Sequence, residues 1–345
     1  MPKEVVTFGE IMLRLAPPAH QRFEQAESFV ATFAGAEANV AASLAAFEAP
    51  VQFVTRLPPN DIGSKCVRLL RRYGIGTDHL AWGGDRLGLF YLENGAAQRG
   101  SKVIYDRSFS SFAGLERGVI DWRQVFADAA WFHFTGITPA VSMGAADTCL
   151  EAVEVAKAVG LTVSCDLNYR AKLWQWGKSA GEVMKELVKH CDVLVANEED
   201  AERVFGIVAP DVDIEKGRVV GDNYVSVCEE LVGRFPSLRT VAVTLRGSIS
   251  ASHNTWSGLL WHEGRAYVAP TYDILPVVDR VGSGDAFNGA LIYGLGVAGR
   301  EPQWALDFAV AASCLKHSIH GDFNLVTVAE VEKLAAGNVS GRVVR

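Results

Sequence analysis

The sequence predicts an α/β fold in which a mainly parallel central sheet is covered by helices on both faces. Three observations predict it. From Trp131 onward, strand-like and helix-like stretches alternate repeatedly, the pattern of parallel strands joined by crossover helices. Polar residues gather at the carboxyl ends of these units, among them Glu10, Asn168, Arg170, Asn197, Arg246 and Asp285; ligands collect at that end of such sheets. Finally, 345 residues with 49% hydrophobic and 21% charged side chains suffice for a sizeable core and do not describe a disordered chain.

Taken in order, residues 5–8 form a strand that ends at Gly9-Glu10, and 11–34 hold short strands and loops broken by Pro17-Pro18. Gly35-Ala36-Glu37-Ala38-Asn39 opens an alanine-rich helix over 40–47. A strand at 51–55 and a helix from Asp61 to Tyr73 follow. Two strand-like runs, 88–93 and 102–107, are separated by the turn dipeptide Asn94-Gly95. Strand, helix, strand follow at 130–134, 142–159 and 162–166. Next come helices at 178–190 and 198–205 around a strand at 193–196, and 206–222 is a loop insertion. A helix at 223–234 precedes the apolar strand 240–245, and 255–269 reads as a hairpin. A strand-like stretch at 271–278, containing Pro276, leads to Asp279-Arg280-Val281-Gly282-Ser283-Gly284-Asp285, where a helix begins. Helices at 302–316 and 327–335 close the chain. No repeat, low-complexity tract or long linker divides it, and its length allows two or three domains or one large α/β unit.

A formal net charge of −7 argues against nucleic acid as a partner. The six cysteines are scattered with no C-x-x-C pair, which fits reduced thiols in a cytoplasmic protein better than disulfides or a zinc site. No apolar segment follows Met1-Pro2-Lys3-Glu4, so no signal peptide is expected. The charge-free run 129–146 contains His133, Gly136 and Pro139 and reads as buried strand, turn and helix start, not as a membrane span. His133 is expected to be a core residue, and His317 and His320 capping or surface groups at a helix end.

The chemistry concentrates at Gly282-Ser283-Gly284-Asp285. Two glycines let the backbone turn sharply, and a helix starting there aims unpaired N–H groups and a positive dipole end at one spot. Such a turn is a hole for phosphate oxygens. Asp285, in the first helical turn, is placed to take a proton from a hydroxyl and is expected to be ionised at pH 7. On spacing alone, the stretch is equally an ordinary helix start with an acidic first turn. No P-loop, dinucleotide fingerprint, G-x-S-x-G or H-E-x-x-H occurs. What remains is phosphoryl transfer, which needs positioning, charge neutralisation and a proton acceptor.

Three motifs carry a family resemblance: Asp279–Phe287, Ala34-Gly35-Ala36-Glu37-Ala38-Asn39-Val40-Ala41, and Asn197-Glu198-Glu199-Asp200. In that order they resemble the C-terminal, N-terminal and N-x-x-E magnesium motifs of the ribokinase-like (pfkB) carbohydrate kinases. Tyr105-Asp106-Arg107 and the stretch from Asp166 to Trp174 are most similar to 2-keto-3-deoxygluconate kinases within that family. The resemblance implies that residues 1–345 form one domain, a ribokinase-like three-layer α/β/α sandwich with a small β-sheet lid from about 12–34 and 86–112. It also implies ATP and Mg²⁺ as cofactors, with a monovalent cation as an option, and a homo-oligomer paired through the lid. The implied activity is phosphorylation of 2-keto-3-deoxygluconate. Alternatives are another sugar kinase of the family, acting on fructose or ribose, and a non-catalytic sugar-acid or nucleotide sensor.

Residue by residue, the resemblance makes Asp285 the base, with Gly282, Ser283 and Gly284 forming the anion hole. It gives Gly35, Ala36, Asn39, Tyr91, Tyr105, Arg107, Asn168 and Arg170 to the sugar acid, the two arginines suiting a carboxylate. Asn197, Thr244, Arg246, Gly247, Gly282 and Gly284 go to the nucleotide, and Asp200 to magnesium through water. Three positions depart from the pattern: Ser283 stands where alanine is commoner, Ala34 where glycine is, and Asp200 is one methylene shorter than glutamate. Insertions at 206–222 and 249–262 fall on the adenine side.

Overall fold

The computed structural model describes residues 3–197, 199–208 and 221–338. Of the loop expected at 206–222, residues 209–220 thus lie outside the described residues, as does Glu198. The chain opens with β1 (Glu4–Phe8), β2 (Met12–Ala16), a 3₁₀ turn at Phe23–Gln25, β3 (Val30–Ala34) and α1 (Ala36–Ala46). β4 (Val51–Val54), β5 (Arg56–Leu57), α2 (Asp61–Arg72), β6 (Ala81–Trp82), β7 (Leu89–Glu93) and β8 (Lys102–Asp106) follow. The middle comprises α3 (Trp122–Val125), β9 (Ala129–Thr135), α4 (Ile137–Ala140), α5 (Met143–Ala158), β10 (Thr162–Asp166), α6 (Ala180–Val188), β11 (Val193–Asn197) and α7 (Asp200–Phe205). The last part holds α8 (Gly221–Arg234), β12 (Thr240–Ser250), β13 (His253–His262), β14 (Arg265–Val268), β15 (Tyr272–Ile274), α9 (Ser283–Ile292), α10 (Pro302–Lys316) and α11 (Val328–Ala335).

The central sheet runs β14-β13-β12-β11-β10-β9-β1-β4, with β15 paired to β13. Pairings from β4 through β12 are parallel, and β13, β14 and β15 join antiparallel. Strands covered on both faces must be apolar on both, and these are. Phe8, Phe132, Phe134, Cys165, Leu194 and Val241 bury against α3, α5, α6 and α8. Their sequence neighbours Val5, Trp131, Val193, Val195 and Ala242 bury on the opposite side, against α1, α2, α9 and α10. The result is the three-layer sandwich that the alternation predicts.

Helix starts follow local chemistry. The Asn60 side chain accepts from the amides of Ile62 and Gly63 at α2, and Ser179 with Glu182 forms a capping box at α6. The small residues of α1 let it approach α9 closely: a Cβ at Gly289 would lie 2.6 Å from the Ser43 Cβ.

A separate four-stranded sheet, β3-β2-β7-β8, is built within 12–34 and 86–112. Its register puts Met12, Arg14, Phe90, Leu92, Val103 and Tyr105 on one face, and Leu13, Leu15, Leu89, Tyr91 and Ile104 on the other. Other differences from the sequence reading are local. Asn94-Gly95 is not a two-residue hairpin turn: 94–101 connect β7 to β8, with a tight turn between Ala96 and Arg99. The supposed insertion 249–262 is the tip and return strand of a long β12–β13 hairpin that extends the sheet. Only Tyr272–Ile274 of the stretch 271–278 pairs as a strand. His133 is a core residue as expected, whereas His317 is fully buried, its Nδ1 2.8 Å from the Ser313 carbonyl. All six cysteines are free thiols, and among the described residues no helix is long and apolar enough to cross a membrane.

Candidate active site

The strand ends, the N-terminus of α9 and the inner face of the small sheet enclose a cavity of about 370 Å³. It is lined by Gly35, Ala36, Asn39, Tyr105, Arg107, Asn168, Arg170, Asn197, Asp200, Thr244, Arg246, Gly282, Ser283, Gly284 and Asp285. Residues up to 250 positions apart in sequence thus meet in one place. Two expected residues do not. Tyr91 lies on the outer face of the small sheet, its ring 6.0 Å from that of Phe29, and its neighbours Phe90 and Leu92 line the cavity instead. Gly247 falls on the far side of β12 from Thr244 and Arg246, where a Cβ would meet Thr255 Oγ1 at 2.3 Å. Both misplacements are the twofold alternation of a strand.

The turn before α9 is built by position. Gly282, at φ +83°, precedes α9, and a Cβ there would lie 2.1 Å from the Asp322 carbonyl, so only glycine fits. No side chain caps α9. Among the described residues, the amides of Gly284 and Asp285 have no acceptor, and a Cβ on Gly284 would meet nothing within 4 Å. Donors facing open space at a helix N-terminus are what a phosphate requires.

Asp279 braces this turn. Its carboxylate accepts from Val281 N at 3.1 Å, Gly321 N at 3.1 Å and Arg14 Nη2 at 2.8 Å, while Arg14 also pairs with Asp322. Arg14 sits on β2, so the small sheet is keyed to the turn through a buried ion network. The buried Lys316 ammonium is hydrogen-bonded to the carbonyls of Asp279 at 3.4 Å and Ile319 at 3.2 Å. None of these partners was assigned from the sequence. The acid that opens the Asp279–Asp285 motif and the arginine two residues into β2 were the available signals.

Asp285 is held by Asn39, whose Nδ2 donates to Oδ2 at 2.7 Å. Burial pushes Asp285 up to about 7, against that hydrogen bond and with help from the charges of Asp322 and Glu37. Full ionisation at pH 7, expected from the helix start, is therefore not what the site provides. Burial, then the charges of Asp200 and Asp285, push Asp166 up to about 8. Asn288 donates to Asp166 at 2.7 Å, and its buried Oδ1 has no partner among the described residues. Asp166 and Asn288 line the cavity without having been expected there. Asn168 follows at φ 35°, a conformation asparagine tolerates, with its amide 3.1 Å from Asp166 Oδ1.

The arginines differ in their charge balance. Arg107 is buried and paired with Glu10, which also accepts from Ser110. Arg170 is exposed at the cavity, donates to the Tyr169 carbonyl at 3.1 Å and makes no ion pair among the described residues. Asp200 accepts from Tyr169 N at 3.1 Å and Asn197 N at 3.0 Å; burial raises its pKa despite those bonds. Among the described residues no group of three or more His, Cys, Asp or Glu side chains is arranged to hold a metal. A cation retained mainly by phosphates and water, in the manner of magnesium, is compatible with that. The Asn288 oxygen, without a partner among the described residues, fits a hydrated cation or a donating hydroxyl nearby.

The family model for pfkB family carbohydrate kinases matches residues 2–326. The chain is 36% identical to a 2-dehydro-3-deoxygalactonokinase of Haloferax volcanii over 344 residues, covering 99% of each. Among solved structures it resembles a 2-dehydro-3-deoxygluconokinase from Thermotoga maritima, with a TM-score of 0.91 and 46% identity, covering 97% of this chain and 100% of the other. It also resembles a putative 2-keto-3-deoxygluconate kinase from Enterococcus faecalis, with a TM-score of 0.89, 26% identity and 99% of each chain covered.

Proposed function

Because the chain belongs to the pfkB family of carbohydrate kinases, we propose that it phosphorylates 2-keto-3-deoxygluconate with ATP, giving 2-keto-3-deoxy-6-phosphogluconate. One observation carries the reading: a single cavity is lined by a phosphate turn with its base and by Arg107 and Arg170. A sugar acid offers both a hydroxyl for the first and a carboxylate for the second. Asp285 takes the proton of the terminal hydroxyl as the bond to phosphorus forms, and Asn39 keeps its carboxylate turned to that task. The amides of Gly284 and Asp285 stabilise charge on the transferring group. When bound, Mg²⁺ would neutralise the nucleotide phosphates, with Asp200 and Asp166 retaining it through water. Thr244, Arg246 and Asn197 serve the nucleotide, and a monovalent cation remains an option. Since Glu10 balances Arg107, Arg170 is the principal carboxylate ligand, and Arg107 shapes the wall beside Tyr105.

The small sheet acts as the lid, excluding water from the transfer. The free, scattered thiols suit a cytoplasmic enzyme. A second reading is the 4-epimer, 2-keto-3-deoxygalactonate, favoured by the name of the Haloferax relative. Initial rates of ADP release with both epimers, fructose and ribose test all of these. Turnover of one or both acids, and a larger KM increase for Arg170→Ala than for Arg107→Ala, are expected. Turnover of neutral sugars alone sinks the acid assignment, and silence throughout the panel favours a binding protein.

A further inference from the structure

One cationic side chain of the cavity has no task in the mechanism above. Arg280 lies two residues before Gly282, half-buried, and lines the cavity. Its Nη2 donates to Ser250 O at 2.9 Å, Ala251 O at 3.1 Å and Asn254 Oδ1 at 3.1 Å, three neutral acceptors. Its Nε and Nη1 have no acceptor among the described residues, and no carboxylate there lies within ion-pair distance. The other buried arginines of this region are balanced, Arg14 by Asp279 and Asp322 and Arg107 by Glu10. Burial and the neighbouring Arg246 both disfavour the charge on Arg280. A guanidinium nevertheless stays protonated in proteins, and a partly desolvated cation without an anion is costly unless a ligand supplies one.

The side chain is also held from behind. The hairpin tip that carries its acceptors is tied to the connection between β7 and β8, through Ala251 N to Ala97 O at 2.7 Å and Ala97 N to Ser252 Oγ at 3.0 Å. Donors fixed in advance and aimed at developing charge cost little reorganisation during reaction.

We propose that Arg280 is a phosphate-binding residue of the kinase, donating Nε and Nη1 to the terminal phosphates of the nucleotide beside the α9 N-terminus. The assignment rests on the nucleotide reading above. It divides the unpaired arginines, Arg170 for the sugar acid and Arg280 for the phosphate chain.

Calorimetric titration of the full chain with ADP and with adenosine tests it, because the two ligands differ only in phosphate. Wild-type protein should prefer ADP, and Arg280→Met should reduce that preference at least about ten-fold with adenosine affinity unchanged, the worth of a lost charged hydrogen bond. Arg280→Lys, which keeps the charge but loses the fork, should fall between them and carries the test if the methionine variant does not fold. In steady state, KM for ATP should rise while KM for the sugar acid stays put. An unchanged ADP preference in the folded variants overturns the proposal and leaves the kinase reading intact. A KM change confined to the sugar acid also overturns it, by moving Arg280 to the carboxylate. Wild-type protein that does not distinguish ADP from adenosine removes the nucleotide reading and this proposal together.

Discussion

Asp285 is buried, makes no ion pair among the described residues and is pushed up to about 7, so its folded environment favours the protonated form while the role of base proposed for it needs the ionised one. A carboxyl whose folded pKa lies above its ordinary value contributes stability below that ordinary value and loses it as pH rises through the folded value. For Asp285 and Asp166 the window runs from about 4 to about 7 and about 8. His133 and His317 are buried neutral, pushed down to about 3 and about 4, so they cost stability only as pH falls below the ordinary imidazole range. Between pH 6.5 and 8 the carboxyls therefore set the slope. The ligand-free protein should lose melting temperature across that range. Asp285→Asn should flatten the slope and melt higher than wild type at pH 8, while its kcat drops by about 10²–10⁴. Wild-type kcat/KM should rise with pH through about 7 as the base ionises. Equal melting of variant and wild type at pH 8 would contradict the burial argument. Asp285 could be picked out of the sequence but its titration could not, because the groups whose charge or hydrogen bond acts on it, Glu37, Asn39 and Asp322, come from distant segments.

At the level of elements, the α1–α9 contact sets the distance from Asn39 to Asp285. Gly289 lies one turn beyond Asp285 on α9, and Ser43 one turn beyond Asn39 on α1, so the two hydrogen-bonded residues and the two packed ones form parallel rungs. Gly289→Val should overpack the contact at a cost of about 1–3 kcal/mol. It should also lower kcat more than its loss of stability explains, since the helices must part. Adding Ser43→Gly should recover much of both, a coupling that thermal melts and initial rates can measure as a double-mutant cycle. Failure of the second change to restore anything would show that the helices are not held apart at this rung. The long elements were legible because apolar strands and capped helices announce themselves locally. The four-residue α3 and α4 and the two-residue β5 and β6 carry no period to read. Tyr91 and Gly247 were misplaced for a related reason: alternation was visible, but which phase faces the cavity depends on pairing with other strands.

Across the whole molecule, the small sheet stands over a cavity whose other walls belong to the large one, and its two faces answer different needs. The inner face supplies Met12, Phe90, Leu92 and Tyr105 to the cavity and Arg14 to the ion network. The outer face carries Leu13, Leu15, Leu89, Tyr91 and Ile104, with Phe29 beside Tyr91; Ile104 and Phe29 are 54% and 40% exposed. Its edges, β3 and β8, are unpaired among the described residues. An apolar sheet face with open edges is an association surface unless something covers it. We propose a second copy of this chain as that cover. Sedimentation of the wild-type chain at micromolar concentration should then give at least twice the chain mass. Ile104→Asp, which points away from the cavity and touches none of the catalytic groups, should shift the mass towards the monomer. If pairing steadies the closed lid, the same variant should raise KM for the sugar acid while leaving the Asp285 pH profile in place. A wild-type chain that sediments as a monomer, or an Ile104→Asp chain that still assembles, would mean that this face is not where two copies meet.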